Sequence, residues 1–159
     1  MMELIPGLIR VFVGSFIGTL GFGILLHAPQ RAWMPSSLLG GAGFALYWLL
    51  MQLGMGEPGA IFLASLMASL IAQFCARKMR MIATVFITLS ILALVPGLGL
   101  YQCMERIGQG QNAAGLQIGA TAMIAIMMIA LGLAVGTFLF RALAAIAPHH
   151  STKKPKEDV

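Results

Sequence analysis

Charge is what this sequence most lacks. Of its 159 residues only 9% are charged, where soluble domains carry roughly 25%. The five acids are Glu3, Glu57, Glu105, Glu157 and Asp158, so no carboxylate falls deep inside an apolar run. With 59% apolar residues, that scarcity excludes an ordinary soluble domain. Cysteine is nearly absent as well. Cys75 and Cys103 fall at opposite ends of separate apolar runs, ~30 Å or more apart if those runs cross a bilayer. Two thiols so separated cannot pair, which argues against a quinone-linked dithiol enzyme. No histidines pair at metal-ligand spacing within the apolar runs, and His149 and His150 belong to the C-terminal tail. A catalytic constellation, a metal site and a cofactor are therefore not expected.

What is present is length of uncharged chain. The charges divide the sequence into uncharged stretches at 11–30, 32–56, 58–76, 81–104 and 107–140. About 20 apolar residues cross a ~30 Å hydrocarbon core, so each stretch holds one crossing. The sequence predicts an all-α integral membrane protein with five transmembrane helices, near 5–26, 35–53, 59–76, 82–104 and 117–140. The fourth is broken at Pro96-Gly97. Residues 1–145 form one transmembrane domain, and 146–159 read as a short disordered basic tail. The start does not read as a secretory signal, because Glu3 stands where a positive segment belongs and no small-x-small cleavage site follows.

Five crossings put the cations on two sides. Arg10 and Arg106 fall with the N-terminus. Arg31, Arg77, Lys78, Arg80, Arg141, Lys153, Lys154 and Lys156 fall with the C-terminus. Two against eight is a positive-inside bias, so the N-terminus is expected outside and the tail in the cytoplasm, against anionic lipid headgroups. The net charge of +5 lies at span ends, and no nucleic-acid partner is expected.

Lipid tails are as apolar as leucine, so helices associate through close backbone approach. Ala60, Ala64, Ala68, Ala72 and Ala76 recur every fourth residue of the third span, and Gly14 and Gly18 share small-xxx-small spacing in the first. Such stripes either pack the bundle or dock another membrane subunit.

The fourth span carries the run "ILALVPGLGLYQCM" from Ile91. Pro96 has no N–H to donate and its ring clashes with the carbonyl of Leu92, so the helix kinks or ends there. Gly97 and Gly99 then widen the available backbone angles, and Tyr101 and Gln102 add a hydroxyl and an amide. Freed peptide groups in hydrocarbon are tolerated only in protein or beside a water-filled cavity. Transporters use such breaks to present half-helix ends to solutes, although a plain proline kink fits the same residues. Arg10, about two turns into the first span, is either a functional charge or snorkels to headgroups. Arg31 is a topology anchor or a guanidinium that receives a carboxylate from the cytoplasm. Gln73 makes an interhelical hydrogen bond or contacts a solute.

In their order, "GFGILLHAPQRAWMPSSLLGGAGFALYWLL", "FLASLMASLIAQFCARKMR" and "VPGLGLYQCM" resemble the small, YjjB-type half of the bacterial threonine/serine exporter (ThrE-type) family. The resemblance spans roughly residues 8–140, with Pro96, Gly97 and Tyr101 its most specific part and Pro29 and Arg31 next. It implies the five-helix half of a ten-helix exporter, in the bacterial inner membrane, with a larger YjjP-type membrane subunit as partner. A homo-oligomer of that pair is compatible with it. The implied cargo is small carboxylate metabolites, either threonine and serine or dicarboxylates such as succinate. The alternative is a scaffold subunit that transports nothing and stabilises the larger partner.

Overall fold

The computed structural model describes the backbone of residues 4–146, all of it helix or short connection. Residues 147–159, which hold the basic tail expected above, lie outside the described residues. Six helices follow in order: α1 (Leu4–Leu25), α2 (Gln30–Gln52), α3 (Glu57–Met79), α4 (Ala83–Leu92), α5 (Gly97–Gly108) and α6 (Asn112–Ile146). The helices α1, α2, α3 and α6 are each long and apolar enough to cross a bilayer, and α4 with α5 are so together, bent by 50° at their junction. Runs this apolar become helical because hydrocarbon offers no partner for peptide groups except the helix's own.

Local chemistry sets the ends. Pro58 stands in the first turn of α3, where a missing N–H costs nothing. Glu57 beside it, with Arg77 and Lys78 in the last turn, opposes the helix dipole at both ends. Arg80 then takes a left-handed conformation at φ 52 and stops the helix. Between α1 and α2, the indole Nε1 of Trp33 donates to the Ala28 carbonyl at 2.8 Å and fastens a turn in which His27 has φ 51.

The boundaries that differ most from the sequence reading are the start of α2, the 105–116 connection and the end of α6, which runs to Ile146 rather than 140. Helix α2 starts at Gln30 rather than 35, which places Pro35 inside its opening turns. The expected loop at 105–116 shrinks to Gln109–Gln111. Its polar residues are good helix formers and satisfy one another: Arg106 Nη1 donates to Gln111 Oε1 at 2.7 Å, and Gln109 Nε2 to Glu105 Oε1 at 3.3 Å. Gly110, at φ 79, makes the turn.

The direction of α6 decides how the broken pair is to be read. Ser65 of α3 lies against Gly132, Ser69 meets Thr137 at 3.3 Å, and the Arg77 guanidinium sits 4.6 Å from the Phe140 ring centre. Residue numbers climb together, so α3 and α6 run parallel. The chain therefore leaves the Arg77 end of α3 and returns to the Glu57 end before α6 begins. Helices α4 and α5 make one broken crossing, not a re-entrant loop, and there are five spans.

Close approach is concentrated at a few glycines. A Cβ on Gly132 would come within 2.7 Å of the Phe62 carbonyl oxygen and collide with Ser65 Oγ; one on Gly136 would stand 2.9 Å from Ser69 Cβ. Between α1 and α2 the close approaches are at Gly40 and Gly41 of α2, which take Thr19 and Phe12, and at Gly7 of α1, which takes Trp48. Gly14 and Gly18 of α1 face open space, with nothing within 4 Å of an added Cβ. The alanine stripe Ala60, Ala64, Ala68, Ala72 and Ala76 is buried throughout. Ala68 lies opposite Gly43 of α2, and Ala72 and Ala76 cluster with Ala32, Leu39 and Phe86.

These contacts order the glycines by consequence. Gly132→Val in the purified chain is expected to cost about 1–3 kcal/mol through overpacking, visible as a lower melting temperature in detergent. Gly14→Val is expected to leave the melting temperature unchanged, and equal losses from both would contradict the packing described.

Candidate functional site

The break is built by Pro96 itself. With φ −75 and ψ 59 it forms an inverse γ-turn, closed by the Gly97 N–H donating to the Val95 carbonyl at 2.8 Å. On the α4 side the amides of Leu94 and Val95 share the Ile91 carbonyl at 2.7 and 3.2 Å. On the α5 side the first-turn amides of Leu98 and Gly99 have no backbone acceptor among the described residues, as expected of any helix start. Peptide groups are thus left open at an apolar depth.

They open onto a cavity of about 500 Å³. Pro96, Gly97, Gly99 and Gln102 line it from the break and α5. Tyr47 of α2, Glu57 and Ile61 of α3 and Thr121 of α6 close the other sides. Gly97 has no neighbour within 4 Å of an added Cβ, whereas Gly99 approaches Ala122 to 3.6 Å. Helix α5 rests on α6, with Gly119 against the Cys103 sulfur and Gly115 against Ile107. That pairing holds α5 away from α3 and keeps the space open.

The other sequence candidates lie elsewhere. Tyr101 is 65% exposed and points away from the cavity. Arg10 is exposed on α1, and Arg31 is exposed in the first turn of α2, at the opposite end from the break. Gln73 is buried within α3, and its Nε2 has no hydrogen-bond partner among the described residues. The break and Gln102 are thus brought together, while Tyr101, Arg10, Arg31 and Gln73 are not.

Sequence reasoning missed Glu57. Charge delimits the spans and so puts it in a loop, yet it is a helical residue and, among the described residues, the only charged side chain lining the cavity. The available signal was "GEPG": a proline directly after it marks a first helical turn rather than loop. Tyr47 and Thr121 carried no comparable signal, since only tertiary packing brings them to the break.

A second cavity of about 350 Å³ lies at the other end of α4, between Thr84 and Thr88 and the His27–Pro29 turn. From Thr88 to Leu94 the helix rises roughly 9 Å. Leu89, which lines the second cavity, and Ser90 are buried within that interval. Among the described residues no group of three His, Cys, Asp or Glu is placed to hold a metal ion.

Five spans, one of them broken over a cavity with a few polar groups, define a multi-pass membrane protein. A family model described as Threonine/Serine exporter, ThrE, matches residues 11–139, and the chain belongs to that family. No curated protein and no solved structure matches it.

The cavity has a direct chemical readout. With Cys75 and Cys103 replaced, Gln102→Cys in membranes is expected to react with an impermeant thiol reagent at least tenfold faster than Ser90→Cys. Equal rates would mean that water does not reach the break.

Proposed function

We propose that this chain is the small subunit of a two-component exporter in a bacterial inner membrane. It carries threonine and serine outward through the α4–α5 break. The observation that carries the reading is the cavity where open peptide groups, Gln102, Tyr47 and Thr121 converge on a space ample for an amino acid. A carboxylate-bearing solute suits the first-turn amides of α5, which are positive ends of peptide dipoles. The cation distribution supports an orientation with the Arg77 end of α3 toward the cytoplasm, in which the break cavity faces outward and the Thr84–Thr88 cavity faces the cell. In that orientation Leu89 and Ser90 form the barrier between them. Movement of α4 about the Pro96 turn would connect the two spaces in alternation.

Succinate and other dicarboxylates fit this cavity less well. None of its lining residues is basic. Two like charges 4 Å apart repel by about 4 kcal/mol at an effective dielectric near 20, so a dianion beside Glu57 is disfavoured.

The larger YjjP-type subunit is proposed to dock on α1. Only 11% of its apolar stretch is buried, against 50% for α3. Arg10, Gly14, Gly18 and Gly21 share one helical face by their spacing and are all exposed. A shallow groove beside that face, between α1 and α4, is lined by Gly14, Gly18 and Phe22 with Leu92 and Ala93. The same bare face also favours a second reading, a scaffold that only holds the partner, and the two readings separate by mutation.

A Cβ at Gly97 meets no neighbouring atom within 4 Å, and a leucine side chain there narrows the cavity. Gly97→Leu is expected to lower threonine export at least tenfold, with membrane level and partner co-purification unchanged. Normal export would remove the break from the path and leave the scaffold. Gly18→Leu is expected to reduce co-purification of the larger subunit without altering the melting temperature of this chain alone; full retention would place the interface elsewhere.

A further inference from the structure

The export reading leaves unassigned which side chain distinguishes an amino acid from other small acids. We infer that Glu57 binds the ammonium group of the transported amino acid. The inference rests on the export reading and adds to it a residue that reads one functional group.

Three observations converge on this role. Among the described residues Glu57 is the only charged one lining the break cavity, and no other described lining residue is Lys, Arg or His. Arg106, the cation nearest the break along α5, is exposed and donates to Gln111 instead. The backbone that carries the carboxylate is also fixed. Glu57 is the first residue of α3 after Gly56, with Pro58 fixing the next position. Its backbone is therefore set by a helix rather than by a loop.

A carboxylate that borders a largely apolar cavity and has no cation among its lining neighbours favours a solute that brings one. An α-ammonium group is such a solute group, and ammonium–carboxylate hydrogen bonds are roughly twice as strong as neutral ones. A threonine or serine so held places its hydroxyl among Tyr47, Gln102 and Thr121, which can donate or accept. A solute that lacks the amine leaves Glu57 without its partner and loses binding. A purely structural role is the competing explanation: a first-turn acid also stabilises its helix through the dipole. That role predicts no dependence on whether the solute carries an amine.

The test is threonine counterflow in vesicles containing this chain with its larger subunit, at several concentrations and with N-acetylthreonine as competitor. Glu57→Gln is expected to raise KM for threonine tenfold or more. It is also expected to erase most of the preference for threonine over the N-acetyl analogue. Glu57→Asp keeps the charge and is expected to restore at least part of that preference. An unchanged KM and preference in Glu57→Gln would overturn the assignment. So would a variant that keeps wild-type counterflow and fails only in uphill export, because Glu57 would then serve a coupling ion. A uniform loss for both solutes that Glu57→Asp does not recover would reduce Glu57 to a structural acid. Wild-type vesicles that exchange no threonine would instead overturn the export reading itself.

Discussion

Every peptide group within a bilayer must find a partner, because hydrocarbon supplies none. Most of this chain obeys by forming unbroken helix. One place does not. At Pro96 the N–H is missing, the next amide is spent on a γ-turn to Val95, and the following two amides open onto a cavity. An open amide facing acyl chains would cost several kcal/mol, so the break is stable only where water, solute or protein meets it. The rest of the architecture serves that condition. Parallel packing of α3 and α6 sets Ile61 and Ala122 around the same cavity, and the glycines of α6 hold α5 against α6. The space between α5 and α3 stays open as a result.

The packing and the site use small residues for opposite purposes. At Gly132 and Gly136 the missing side chain lets backbones touch, and any Cβ would collide. At Gly97 the missing side chain leaves volume, and nothing stands within 4 Å. At Gly14 and Gly18 it leaves a flat outer face. The three situations look alike in a sequence, yet they are close backbone packing, open cavity volume and a bare outer face respectively.

Span number, the break and the alanine stripe were legible because each depends on local composition or periodicity. Uncharged runs report crossings, and a Pro-Gly pair within one reports a freed backbone. The resemblance in "VPGLGLYQCM" pointed to the threonine/serine exporter family to which the chain belongs. Other features were not legible, for physical reasons. The charges that delimited spans hid Glu57 and the 105–116 helix ends, since a charge at a helix terminus and a charge in a loop have the same sequence signature. Tyr101 follows the break closely, but a residue four positions into α5 turns outward under helical geometry, while Gln102 turns in. Small-xxx-small spacing named Gly14 and Gly18, but which of two facing helices supplies the glycine is a tertiary choice, and here Gly40 and Gly41 of α2 supply it.

The most direct measurement of the central claim is hydrogen exchange at the break. In the assembled protein in bilayers, the amides of Leu98 and Gly99 should exchange orders of magnitude faster than those in the middle of α3, such as Ala68 and Ala72. Protection at Leu98 and Gly99 equal to that of α3 would mean that no water reaches them, and the break would be a bend in a sealed helix rather than part of a path.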